Sequence, residues 1–293
     1  MKTFYTGLVL FFFISPVMLK AQEAEPVKKK DKPVRSPFEN GMVIDNQTCM
    51  IPPAKTLELL IQHRFGEMDN GISDLFGIFA PGANIRMGFN YSVFDKLMLG
   101  IGLTKKNMYT DLQIKWNILQ QTRKNTVPVA VTVYGNMAID GRNKRVFGVD
   151  YRFLNRLSYF SQIIVSRKFC EWFTLQITGS FTHYNAVDST MNHDVIGIGF
   201  NGRVRFSPQS SLIFQYDIPL KIQKISEQRE FDVAKPNFGF GYEVSTRSHT
   251  FQIFVSSSLG ILPQDIYMYN NYDWTKGFSD LRFGFTITRL WGF

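Results

Sequence analysis

Residues 83–104 read ANIRMGFNYSVFDKLMLGIGLT. Ile85, Met87, Phe89, Tyr91 and Val93 alternate with Asn84, Arg86, Gly88, Asn90 and Ser92. After a short break the alternation resumes, with Leu97, Leu99, Ile101 and Leu103 set against Met98, Gly100, Gly102 and Thr104. A period of two places successive side chains on opposite faces of a strand. Two such runs joined by a few residues predict an antiparallel hairpin with one apolar and one polar face.

The same pattern extends in both directions. Upstream, 56–65 carries Leu57, Leu59, Ile61 and Phe65 against Glu58, Gln62 and Arg64. Downstream, alternation predicts strands over 109–119, 127–138, 173–182, 195–206, 211–218, 237–245, 250–259 and 280–293. The 156–166 segment also reads as a strand, but with apolar residues on both faces. The fold class expected is therefore all-β, a transmembrane antiparallel β-barrel of about twelve strands. A soluble sandwich also alternates, but its strands run nearer 5–6 residues, whereas a tilted strand needs ~9–11 to cross a bilayer.

Connection lengths support the barrel. The odd connections, 66–82, 105–108, 139–155, 183–194, 219–236 and 260–279, are long apart from 105–108. The even ones, 94–96, 120–126, 167–172, 207–210 and 246–249, are short. Membrane barrels alternate long extracellular loops with short periplasmic turns, and an even strand count returns both termini to the periplasm.

Composition agrees. Phe occurs 28 times and only 19% of residues are charged, yet mean hydropathy is −0.10. A helical membrane protein would be far more apolar; alternating strands average out. Net charge is +9. No basic helix or zinc-knuckle spacing accompanies it, so no nucleic-acid partner is expected.

The chain opens with Lys2, an uncharged run GLVLFFFISPVML over 7–19, and Ala21. This order predicts a signal peptide over 1–21, cleaved before Gln22. The run falls short of the ~20 residues of a spanning helix. Residues 22–40, QEAEPVKKKDKPVRSPFEN, are polar and Pro-rich, and read as a flexible periplasmic leader in which Lys28–Lys30 form a solvated spacer. A pre-barrel segment over 41–55 and a barrel over 56–293 complete the division. At the far end Leu281, Phe283, Phe285, Ile287, Trp291 and Phe293 share one parity. Phe285, Trp291 and the terminal Phe293 look like the signal that outer-membrane barrels present to the barrel-assembly machinery. The expected location is the outer membrane of a Gram-negative bacterium, with outer-membrane lipid as surroundings.

The stretches FENGMVIDNQTCMIPPAKTLELLIQHRFG (38–66) and DLFGIFAPGANIRMGFNYSVFDKLMLGIGLTKKNMYTDLQIKWNILQQ (74–121) resemble a family of membrane-bound β-barrel domains of unknown function found in Bacteroidota. The resemblance runs from about Phe38 to the end, and is clearest at His63–Gly66 and Lys105–Asn107. It implies a barrel in the outer membrane and assigns no catalytic residues.

Candidate chemistry is sparse. His63 has outward parity, but no lipase-like Ser-His arrangement accompanies it, and the chain is not expected to be an enzyme. His183, Asp188, His193 and Asp194 fall in one loop without a metal-ligand spacing, so neither metal nor cofactor is expected. His249 stands alone in a short turn. Cys49 and Cys170 would both face the oxidising periplasm, where a disulfide could pin the leader to the rim. The inward-parity charges are the strongest lead: basic Arg64, Arg86, Lys115, Arg203, Arg205 and Arg282, against acidic Glu58, Asp111, Asp217, Glu243 and Asp280. Inward glycines, among them Gly88, Gly100, Gly102, Gly197, Gly199, Gly239, Gly241 and Gly284, would leave space or ease curvature. Three functions stay open: a narrow channel or small-solute transport barrel, with small anionic solutes favoured by the basic excess; a closed structural barrel serving as a partner platform; and a barrel enzyme.

Overall fold

The computed structural model describes residues 31–226 and 230–293. The expected signal peptide and residues 22–30 of the leader, with Lys28–Lys30, lie outside the described residues.

Two short strands precede the barrel, β1 (Met42–Val43) and β2 (Asn46–Gln47). Twelve more follow: β3 (Thr56–Arg64), β4 (Asn84–Phe94), β5 (Leu97–Thr104), β6 (Tyr109–Leu119), β7 (Ala130–Ile139), β8 (Leu157–Lys168), β9 (Phe173–Tyr184), β10 (Asp194–Arg205), β11 (Ser210–Pro219), β12 (Asn237–Ser245), β13 (His249–Ser256) and β14 (Arg282–Gly292). Each of the twelve pairs antiparallel with the next, and β14 pairs with β3 to close the barrel. Closure leaves no edge among these twelve strands, so their ladder N–H and C=O groups are paired on both sides, as the interior of a bilayer requires, with register shifts only between Ser92 and Phe94 and between Asn117 and Leu119. The predicted strand count holds, with ends shifted by a few residues; β7 begins at Ala130 rather than 127.

The two faces are reversed relative to a soluble protein. Met87, Phe89 and Tyr91 on β4 are 41–46% exposed, while Arg86, Asn90 and Ser92 between them are buried. Leu112, Ile114 and Trp116 on β6 point outward in the same way, against buried Asp111, Gln113 and Lys115. The outer face suits acyl chains, and the inner face requires polar company.

That company comes from the chain itself. Residues 40–49 are buried throughout, and β1 and β2 pair as a hairpin, Met42 with Gln47 and Val43 with Asn46. The expected division into a flexible leader ending at 40 and a pre-barrel segment over 41–55 is therefore corrected: the leader's last residues and most of that segment form one plug inside the barrel. Phe38, Val43, Ile44 and Cys49 cluster with inward-facing Ala130, Ile213 and Phe254. The physical reason is local. The segment is too polar to fold alone, but the lumen wall supplies the partners that its backbone and side chains need.

A second insertion comes from the β13–β14 connection. It contains a helix, α1 (Pro263–Tyr269), whose residues Gln264–Met268 are all buried. Pro263 occupies the first turn, where its missing N–H is no loss. Tyr267 and Met268 pack with Tyr134, Phe160, Ile164 and Val195 of the wall. This accounts for the apolar residues on both faces of β8: Phe160 and Ile164 point inward because α1 presents an apolar surface to them.

Candidate functional site

The plug tip is the turn Ile44–Asp45. Ile44 adopts φ +55°, a conformation that costs a β-branched residue of order ~1–3 kcal/mol. Wall side chains fix it there. The Ile44 N–H donates to Gln252 Oε1 at 3.1 Å and the Asp45 N–H to Gln215 Oε1 at 2.9 Å. The Asp45 carboxylate pairs with Arg64. It also accepts from Gln215 Nε2 at 2.9 Å, Asn237 Nδ2 at 3.2 Å and Ser256 Oγ at 3.3 Å. One acid thus gathers side chains from β3, β11, β12 and β13.

Below the tip the polar contacts continue. Gln252 Nε2 donates to Met42 O at 2.9 Å and Gln176 Nε2 to Gln47 O at 2.7 Å. Lys115 Nζ donates to Gly41 O at 2.7 Å and Met50 O at 3.3 Å. Asn40 Nδ2 reaches Thr288 Oγ1 at 2.7 Å. Arg203 pairs with Glu39 at 2.9 Å, and Lys168 Nζ donates to Arg35 O at 2.9 Å. Lys168 also pairs with Glu171, holding that carboxyl below its usual range.

The predicted inward charges are thereby placed. Arg64, Lys115 and Arg203 are buried against the plug. Arg86 pairs with Asp111 at 2.6 Å, wall to wall. Glu58 accepts from Asn90 at 2.6 Å and Glu243 from Gln252 at 2.8 Å. Asp217 Oδ1 accepts from both Asn46 Nδ2 at 2.7 Å and Tyr267 Oη at 3.1 Å, so it joins the plug to α1. Arg282 pairs with Glu67 at 2.7 Å and lies over the Tyr272 ring. Two residues depart from the expectation. Arg205 folds back on its own turn, donating to Ser207 O at 3.1 Å and Pro208 O at 2.6 Å. Asp280 lies in the β13–β14 connection, where it accepts from the Asp273 N–H at 2.7 Å. The inward glycines are not spare volume: a Cβ at Gly239 would meet Ile44 Cδ1 at 3.1 Å, and one at Gly197 would collide with the Tyr267 ring.

The disulfide left possible by the sequence is not formed in the structure. Cys49 and Cys170 are both free. Cys49 is enclosed in the plug's apolar cluster, where burial pushes its thiol up, and Cys170 sits in the β8–β9 turn.

The histidines lie in three separate places. His63 lies between Phe65 and Phe285, with ring centroids 4.4 and 5.1 Å away. His183 Nδ1 lies 2.6 Å from Asp194 Oδ1, and the His193 ring stacks 6.2 Å from it. Among the described residues no three His, Cys, Asp or Glu side chains converge as a metal site needs. His249 is not alone: Ser248 Oγ is 3.1 Å from Nδ1, and Arg289 Nη1 is 2.5 Å from Nε2. Arginine can only donate, so Nε2 accepts and Nδ1 carries the proton. That tautomer cannot take a proton from Ser248, as a nucleophilic serine would require.

A closed twelve-strand barrel, apolar outside and polar inside, with its own N-terminal segment folded in the lumen, defines an outer-membrane β-barrel protein. The model of the family described as membrane bound beta barrel domain (DUF5777) matches residues 38–291. The chain belongs to that family. The match begins at Phe38, so it takes in the plug as well as the wall. No curated protein matches the chain in sequence. Among solved structures, the COG4313 outer membrane channel from Pseudomonas putida F1 is similar over 82% of this chain and 97% of its own, at 12% identity and a TM-score of 0.50. The NanC porin is similar over 80% and 98%, at 7% identity and a TM-score of 0.49. LpxR from Salmonella typhimurium is similar over 81% and 100%, at 10% identity and a TM-score of 0.36. At these identities the likeness concerns the fold alone.

Proposed function

We propose that the protein is a gated passage for small polar solutes, closed in this state by residues 36–51 and opened when that plug withdraws. The observation that carries the reading is the polarity of the plug–wall interface. Its tip is held by Arg64, Gln215, Asn237, Gln252 and Ser256 through hydrogen bonds and one ion pair. Such bonds exchange for bonds to water at a net cost of about 0.5–1.5 kcal/mol each. The long connections face the exterior in this reading, and the chain acts without catalysis. With the plug seated, Arg64 and Arg203 are neutralised by its Asp45 and Glu39, so any anion preference belongs to the state in which the plug has withdrawn.

The test is single-channel recording of the refolded chain beside a variant lacking residues 31–51. Brief, rare openings in the full chain and steady conductance in the variant support the gate. A second reading, a closed structural barrel, is favoured by α1, which occupies the opposite part of the lumen and bonds to the same Asp217. It requires that the folded deletion variant stay non-conducting.

A further inference from the structure

The end of the barrel that carries the long connections holds a cavity of about 440 Å³, within the ~300–1,000 Å³ range of small-molecule sites. It continues into a smaller one of about 190 Å³, with Lys106, Asp265, Tyr269 and Asn271 lining both. Tyrosines supply apolar surface. Tyr109 and Tyr184 bring their hydroxyls to 3.5 Å, and the Tyr184 and Tyr269 rings meet edge to face at 5.1 Å.

The charges around the larger cavity cancel. Lys106, Arg142 and Arg156 stand against Asp140, Asp188 and Asp265. Most are also engaged within the protein. Lys106 pairs with Asp265 Oδ2 at 2.8 Å, and Arg142 with Asp140 at 2.6 Å. The Arg156 guanidinium donates to the carbonyls of Asp140 and Arg142 at 2.6 and 2.7 Å. What remains unmatched is acceptor capacity. Asp265 Oδ1, in the lining of both cavities, and Asn270 Oδ1, in the lining of the smaller one, are buried without a hydrogen-bond partner, on residues only 3% exposed. A buried acceptor left without a donor is costly, so a ligand that donates there is favoured.

We infer that this vestibule binds a small neutral saccharide. Ring hydroxyls donate to Asp265 Oδ1 and Asn270 Oδ1, and the C–H face of the sugar lies on the tyrosines. A net-neutral lining gives an anion or a cation no advantage, while tyrosine surface and fixed acceptors suit an uncharged ring bearing many hydroxyls. The inference deepens the reading of a solute passage, since a solute approaching from the long-loop side meets this cavity first. Binding is read without conductance, so the two can fail separately.

The test is calorimetric titration of the full-length, detergent-folded protein with maltose, gluconate and glucosamine. Saturable maltose binding in the millimolar range or tighter is expected, at least tenfold stronger than for either charged probe. Asp265→Ala and Tyr269→Ala should each weaken it tenfold or more, with Ile72→Ser on an exposed loop position as an unaffected control. Heat-modifiable gel migration verifies that each variant is folded. If Asp265→Ala does not fold, Asn270→Leu replaces it with the same expectation. Absence of maltose binding, stronger binding of gluconate or glucosamine, or folded vestibule variants that bind like wild type would overturn the assignment.

Discussion

Asn46 of the plug and Tyr267 of α1 donate to the same atom, Oδ1 of Asp217, at 2.7 and 3.1 Å. The two insertions are therefore held through one wall carboxylate. An intramolecular hydrogen bond is worth about 0.5–1.5 kcal/mol, so Asp217→Ala should loosen both. Hydrogen-exchange mass spectrometry should show faster exchange in 40–47 and in 263–269 together. Acceleration confined to one segment would mean that the insertions are independent.

The Asp45–Arg64 pair is unequal in its remaining partners. Without Asp45, Arg64 keeps only the Phe254 ring 4.2 Å away and a long contact to His63 O, which leaves a buried charge unpaired. Without Arg64, Asp45 keeps Gln215, Asn237 and Ser256. Asp45→Ala is expected to destabilise plug docking by about 3–5 kcal/mol, and Arg64→Met by clearly less. Denaturant titration followed by a dye on residue 42 would rank the two, and the opposite order would refute the account.

Cys49 and Cys170 report on the plug. Maleimide should modify Cys170 quickly in the folded protein, whereas Cys49, 5% exposed with its thiol pushed up by burial, should resist. In Asp45→Ala, labelling of Cys49 should rise at least tenfold. Equal rates at both cysteines in the wild-type barrel would show that residue 49 is not enclosed.

Sidedness can be tested directly. A protease site placed within 140–156 should be cut on intact cells, and one within 206–209 should be protected. Inverted accessibility would turn the vestibule towards the periplasm.

Deleting Phe293 should reduce the amount of folded barrel. Its N–H donates to Lys55 O at 3.0 Å, extending the β14–β3 seam. An unchanged yield of heat-modifiable barrel would rule out an assembly role for the last residue.

The wall was legible because alternation is a local property, repeated in each strand. The contents of the lumen were not. Residues 40–49 have no period of their own, and they are ordered only by partners such as Gln215 and Gln252, more than 160 positions away. Two hints were nevertheless present. Arg64 has inward parity but faces only Asn84 and Gly284 across the ladders, so its counter-charge had to come from elsewhere. Phe160 and Ile164 face a lumen that should be polar, which implies an apolar occupant. The vestibule is assembled from four separate connections and left no signature at any one of them.

The closing ladder pairs Thr56 with Gly292, the two ends of the barrel sequence. That contact has the largest separation of any pair in the barrel ladders, and it cannot form until the last strand has been exported. Residues 36–51 leave first and adjoin β3, so they are present while β11, β12 and β13 are still seeking register. Asp45 binds a side chain from each of those three strands. The plug can therefore act as a template that selects their alignment, lowering the entropic barrier to a late, long-range closure. Changes within 40–47 should then appear as slow or incomplete barrel assembly, even where the finished barrel would pass solute normally.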